Sequence, residues 1–262
     1  MIRLTAPWMA GRRRLLAQLA RISCANRLNL NQLFILLWFD KIMIISHARR
    51  FIVFPDPLGA GQSLMRALAP WNDVEIAQRP RADGRNPFFQ TMTPGEVEWA
   101  FDALGLAYKN YLSIAVVQHP FSRLSLLYDK IAHQNFFWQM RHLTGVGLPE
   151  FNQWLAATRP DGHGAGGPRT PRWQRFGAWS HRELCKDHIN LSVRAEALEE
   201  DIAPALEQIG IAPSFGEVTD VTPDIDTWVA RYNPQSSALM MQRYGWDLAQ
   251  FGYSAPRLKR AA

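Results

Sequence analysis

Two cysteines in 262 residues, Cys24 and Cys185, are too few for a disulfide scaffold or a multi-cysteine metal site. No His/Cys spacing suits a metal ion, and neither a Gly-x-Ser-x-Gly elbow nor a cysteine–histidine pair points to a covalent hydrolase. Long apolar runs are missing as well. Leu33–Ile45 is the longest candidate, at 13 residues broken by Asp40 and Lys41, and a bilayer span needs ~18. Most of the chain also lacks an excess of either charge. The formal net charge of +6 is carried by residues 1–42, where Arg3, Arg12, Arg13, Arg14, Arg21, Arg27 and Lys41 face Asp40 alone. The other 220 residues hold 22 basic and 22 acidic side chains, so the body gives no electrostatic case for a nucleic-acid partner. There are no internal repeats. What remains, with 47% apolar and 11% aromatic residues, is the balance of a folded domain with a full core.

The charge break divides the chain into a basic extension, residues 1–42, a domain over 43–256 and a short tail, 257–262. Residues 11–22 can wind into a basic amphipathic helix with Leu15, Leu19 and Ile22 on one side, a pattern suited to an anionic membrane surface. The extension makes a poor signal peptide. The expectation is therefore a cytoplasmic protein, with residues 1–42 either a plain appendage or a peripheral membrane contact.

From Met43 onward strands and helices alternate. Arg50–Phe54 is a short β-rich run that breaks at Pro55-Asp56-Pro57-Leu58-Gly59-Ala60-Gly61, and Ser63 leads into a helix that must stop by Pro70. Thr93-Pro94-Gly95-Glu96 is a capping box, opening a helix with Val97, Phe101 and Leu104 on one face. Leu112–Val117 is a continuous apolar run, as a buried parallel strand requires. His119-Pro120 closes it, and Phe121, Leu124, Tyr128 and Ile131 form the inner stripe of the next helix. A strand fits His188–Val193, followed by a helical segment with Leu206 and Ile209. Asn233-Pro234 starts a last helix with Met240, Tyr244, Leu248 and Phe251 inward. Arg159 to Trp179 has no periodicity and reads as a long loop. The order predicts one α/β domain, a central, mainly parallel sheet flanked by helices.

Chemistry concentrates at the strand-to-helix turns. A strand entering a helix through glycines brings backbone N–H groups together at one spot, which suits an anion. Gly59 and Gly61 permit close approach there, and Gln62 and Ser63 can donate, although the Gly-Lys-Ser/Thr of a Walker A loop is missing. Ligands in such sheets bind beyond the carboxyl ends of the strands, so the crevice between this turn and the Gln118–Arg123 turn is the expected site.

Four blocks in order resemble the carbohydrate-type, sulfotransferase-2-like family. Pro57-Leu58-Gly59-Ala60-Gly61-Gln62-Ser63 is in register with its Pro-Lys-Thr-Ala-Gly-Thr-Ser, and Gln118-His119-Pro120-Phe121-Ser122-Arg123-Leu124-Ser125-Leu126-Leu127-Tyr128 with its Arg-Asn/Asp-Pro-Phe-x-Arg-Leu-x-Ser-x-Tyr. Arg194-Ala195-Glu196-Ala197-Leu198-Glu199-Glu200-Asp201 is similar to Arg-Phe-Glu-Asn-Leu-Glu-Glu-Asp, and Arg243-Tyr244, Asp247 and Phe251-Gly252-Tyr253 follow its ending. The resemblance spans about residues 46–254. It implies a P-loop-like sulfotransferase fold, 3′-phosphoadenosine 5′-phosphosulfate as donor, no metal, and a carbohydrate or other hydroxyl-bearing acceptor. It implies a donor site at Leu58, Gly59, Ala60, Gly61, Gln62, Ser63, Gln118, Arg123 and Leu126.

The departures fall on that site. Leu58 stands where the family has lysine, Gln118 where it has arginine, and Leu126 where it has serine. Each charge-assisted hydrogen bond is worth roughly 1.5–3 kcal/mol, so activity requires replacement cations. Arg66, Arg123, Lys130 and the loop arginines Arg169, Arg172 and Arg175 are the candidates. A general base for the acceptor hydroxyl is sought at His133 or His119. Besides a sulfotransferase, the residues allow a non-catalytic binding or accessory protein of the same fold, and an enzyme using another phosphorylated ligand in the same crevice.

Overall fold

Alternation within the short strands sets the layers. In a computed structural model the described residues are 43–77, 86–134, 149–159, 177–185, 187–212, 215 and 225–256, with backbone alone at 133–134 and 225–226. All of them fall within the unit Lys41–Ala262. The basic extension 1–42, the tail 257–262 and most of the loop expected over 159–179, with Arg169, Arg172 and Arg175, lie outside the described residues.

Four strands make one sheet in the order β1 (Ile44–Ser46), β2 (Phe51–Phe54), β3 (Leu112–Val117), β4 (Leu191–Arg194). β1 runs antiparallel to β2, while β2–β3 and β3–β4 are parallel, with Val53 opposite Ile114 and Val116 opposite Val193. The fold is thus mixed α/β with a mainly parallel sheet. β3 keeps the predicted bounds. β4 begins three residues later than the apolar run suggests, because Asn190 is used as a side-chain brace: its Oδ1 accepts from Ser113 N and Ser113 Oγ. β1 is an addition, since Met43–Ser46 is too short to read as a strand, yet Met43, Ile44 and Ile45 are buried.

Side chains point alternately to the two faces. Ile44, Phe51, Val53, Ile114 and Val116 pack with Leu64, Met65 and Leu68 of α1 (Gln62–Leu68) and with Leu198, Ile202 and Leu206. Those last three belong to α6 (Leu198–Gln208). Ile45, Ile52 and Phe54 pack instead with Val97, Ala100 and Phe101 of α2 (Pro94–Ala103). Helices therefore cover both faces of β2 and β3, which are buried on both sides, while the edge strand β4 buries only Val193. A further core joins α3 (Pro120–Gln134), α4 (Phe151–Ala157), α7 (Ile225–Val229) and α8 (Pro234–Gln250) around Phe121, Leu124, Trp154 and Tyr244.

The cap signals hold at residue level. Thr93 and Glu96 complete a reciprocal box at α2, and Asn233 and Ser236 do the same at α8. Leu104 departs from its predicted place: it is 50% exposed, because the helix ends at Ala103 and Leu104 already leaves its axis, so Ala100 fills the inner stripe. No helix among the described residues is long and apolar enough to cross a membrane.

Candidate functional site

Parallel pairing of β2 and β3 brings the two expected turns to one end of the sheet. Gly59 and Gly61 take φ of 91° and 73°, and a Cβ on Gly61 would stand 2.5 Å from Val116 Cγ2. The β2–α1 turn thus lies against β3, and only glycine fits both the left-handed backbone and the close approach.

The turn is not an open cradle. Asp56, 3% exposed, aims Oδ2 back into it and accepts from Leu58 N at 2.7 Å and Ala60 N at 3.1 Å, while Gly59 N donates to Asp56 O. Those N–H groups already hold an anion supplied by the chain itself. The other Asp56 oxygen lies 4.0 Å from Nε of Arg123, which is 1% exposed. Arg123 also donates to Trp179 O at 2.7 Å and faces His181 Nε2 at 3.4 Å. His181 opens α5 (His181–Cys185), whose first N–H groups, His181 N and Arg182 N, donate to Asp247 of α8. Burial, helped by the Arg123 charge, holds His181 well below the usual histidine range, so the ring is neutral. Burial likewise raises the Asp247 carboxyl and pushes the Cys185 thiol up to about 12. Arg123 therefore serves as the hub of a buried polar network rather than facing the outside of the turn.

The positions that the resemblance assigns to a donor take different environments. Leu58 is 2% exposed within the α3–α8 core, and Leu126 packs half-buried against the same core. Gln118 is 1% exposed, and neither atom of its amide has a hydrogen-bond partner. Gly59, Ala60, Gly61, Gln62 and Ser63 form the turn itself. Of the candidate cations, Lys130 reaches it: Nζ donates to Leu58 O and lies 3.8 Å from where a Cβ on Gly59 would stand. Arg66 is exposed on α1.

Both ring nitrogens of His119 are engaged. Nδ1 accepts from Phe121 N at the start of α3, and Nε2 lies 3.0 Å from Ser254 O, so the proton sits on Nε2. Burial lowers its pKa. Glu196 ties the same corner together, accepting from His119 N and from Tyr253 Oη. His133 falls in the last turn of α3, and its side chain is outside the described residues. Arg194 pairs with Asp201 through two hydrogen bonds, while Glu199 and Glu200 are exposed in the first turn of α6.

Asp56, His181 and Asp247 were not singled out as site residues by sequence reasoning. Asp56 had a readable signal, since Asp-Pro-x-Gly favours a side chain that binds the amide two residues on. Asp247 stood in the C-terminal block of the resemblance but with no role attached, and His181 had no signal, because both roles come from helices brought together in space. Among the described residues no group of three or more His, Cys, Asp or Glu side chains is arranged to hold a metal ion. No protein-family model, no curated protein and no solved structure matches the chain.

Proposed function

We propose that this chain is a sulfotransferase-like protein whose donor site has been rebuilt around Lys130. In this reading 3′-phosphoadenosine 5′-phosphosulfate lays its phosphosulfate on the outer side of the Gly59–Ser63 turn. A hydroxyl oxygen of a carbohydrate or other acceptor attacks sulfur, the sulfur–phosphate oxygen bond breaks, and adenosine 3′,5′-bisphosphate leaves. The acceptor proton passes to a base, a role left to His133 because the nitrogens of His119 are spent. The observation that carries the reading is the Lys130 ammonium at the Leu58 carbonyl. It supplies, from α3, a cation at the turn that Leu58 does not supply from within it. The test is titration of adenosine 3′,5′-bisphosphate into the full chain. Micromolar binding, weakened at least tenfold by Lys130→Met, is expected. The absence of any thermal shift at millimolar ligand overturns the reading.

One observation favours a second reading, a non-catalytic binding or accessory protein of the same fold. Asp56 occupies the amides of Leu58 and Ala60 with an internal carboxylate, and a second anion beside it meets repulsion. Bisphosphate binding that is absent in the wild type and in Leu58→Lys/Gln118→Arg alike is the outcome this second reading expects.

A further inference from the structure

A groove of about 460 Å³ opens between the first turn of α5 and one face of α8. Leu239, Gln242 and Trp246 contribute from α8, where spacings of three and four residues put them side by side. Arg182 and Glu183 contribute from α5. The volume falls within the roughly 300–1,000 Å³ of small-molecule sites. Arg182, Glu183, Gln242 and Trp246 are all exposed, so the groups that line the groove are open to a ligand.

Trp246 is the apolar platform of the groove. It is 45% exposed, yet its ring is held in place. Phe251 meets it edge-on, with centroids 6.2 Å apart, and the Arg182 guanidinium lies 5.8 Å from its centroid, in the range of a cation–π contact. The polar groups around it are flat and two-pronged. The Arg182 guanidinium and the Gln242 carboxamide have no hydrogen-bond partner among the described residues. A guanidinium offers a fork of N–H donors, and a carboxamide offers N–H and C=O together, so each can span two neighbouring hydroxyls. The charges cancel, because Arg182 and Arg243 are matched by Glu183 and Asp247. Arg243 is also spent on the carbonyls of Leu155, Ala156 and Thr158, and Asp247 on the first N–H groups of α5. Nothing here selects an ion, and the surroundings of the indole are too polar for a hydrocarbon.

We infer that the groove between α5 and α8 is a carbohydrate-binding site, with the C–H face of a pyranose ring stacked on Trp246 and its hydroxyls held by Arg182 and Gln242. A pyranose has C–H groups on its faces and hydroxyls around its edge, which answers both the platform and the two-pronged groups beside it. The inference stands on its own residues and does not rest on the sulfotransferase reading, because neither Lys130 nor the Gly59–Ser63 turn lines this groove.

Saturation-transfer NMR of the full chain with methyl β-glucoside tests it, with sorbitol and inorganic phosphate as comparison probes. The glucoside is expected to bind saturably at millimolar concentration, with the strongest transfer to its ring C–H protons. Sorbitol, which carries the hydroxyls on an open chain without a fixed C–H face, is expected to give no saturable transfer. Trp246→Ala should weaken the glucoside at least tenfold. Gln242→Ala, at an exposed position that leaves the indole in place, should weaken it about threefold, as the loss of one net hydrogen bond does. Trp99→Ala removes a second exposed indole, on α2, and should change nothing. No saturable glucoside transfer, sorbitol binding as tightly, displacement of the glucoside by equimolar phosphate, or binding untouched by both Trp246→Ala and Gln242→Ala each overturns the inference. The bisphosphate titration is read on different residues, so its failure leaves these outcomes unaltered.

Discussion

Asp56 shows how one side chain can be both a turn device and a charge partner. It satisfies two amides of the β2–α1 turn and pairs at 4.0 Å with the buried Arg123. Removing one partner of a buried charge pair costs about 3–5 kcal/mol, because the other charge is left in a low-dielectric interior. Asp56→Ala should therefore lower unfolding free energy by about 3 kcal/mol or more in urea titrations, far beyond the loss of a neutral turn bond. Gly61 is the second sensitive residue. Its φ of 73° alone costs an L-residue roughly 1–2 kcal/mol, and the contact with Val116 adds overpacking of about 1–3 kcal/mol. Gly61→Ala is expected to destabilise by both amounts. In the double substitution Gly61→Ala/Val116→Ala, the two losses should sum to more than the measured change, because the clash is removed while the backbone strain stays.

At the scale of the elements, the strongest local signals are the caps. Thr93 and Asn233 each accept a backbone N–H at the third helical position, and each box is closed by a returning side chain. Thr93→Ala and Asn233→Ala should each cost about 1 kcal/mol. They sit on separate helices without a shared partner, so their effects on the urea midpoint should add. The short helix α5 behaves differently. Its first N–H groups are satisfied by Asp247 from another helix, and nothing in the His181–Cys185 sequence announces that. Asp247→Asn, which keeps one acceptor oxygen for a bond to an N–H, should therefore cost less than Asp247→Ala by equilibrium unfolding.

For the whole molecule, the buried His181 and the half-buried His119 couple stability to pH. Burial keeps His181 well below its ordinary pKa and lowers His119 as well, so the folded state withholds protons that the unfolded state accepts. Their contribution is fully present above the unfolded value near 6.5 and is lost as pH falls below it. Each withheld proton changes stability by about 1.4 kcal/mol per pH unit. Asp247 has the opposite sign: its raised carboxyl favours the folded state as pH falls toward its own protonation, which offsets part of the loss at more acidic pH. The urea midpoint should drop between pH 7 and pH 5. His181→Gln, which retains an acceptor for Arg123, should flatten that drop, and an unchanged slope would show that other groups carry it.

How much of this was legible depended on the range of the interaction. The β run ending at Phe54, Leu112–Val117, the capping box at Thr93, the Asn233-Pro234 helix start and the glycine turn were readable because propensity, periodicity and capping act within a few residues. The α/β class followed from their order. The placement of the two turns at one end of the sheet was also legible, since parallel strands put successive turns at the same end. Distance in the chain hid the rest. The sequence by itself determined the elements with strong local signals, above all β2, β3, α2 and the start of α8. Only the tertiary structure decided that Leu58 belongs to the α3–α8 core, that Arg123 turns inward to Asp56 and His181, and that Lys130 comes to the turn from another helix. The physical reason is that burial and charge pairing depend on which surfaces meet in space, and no local pattern encodes the partner.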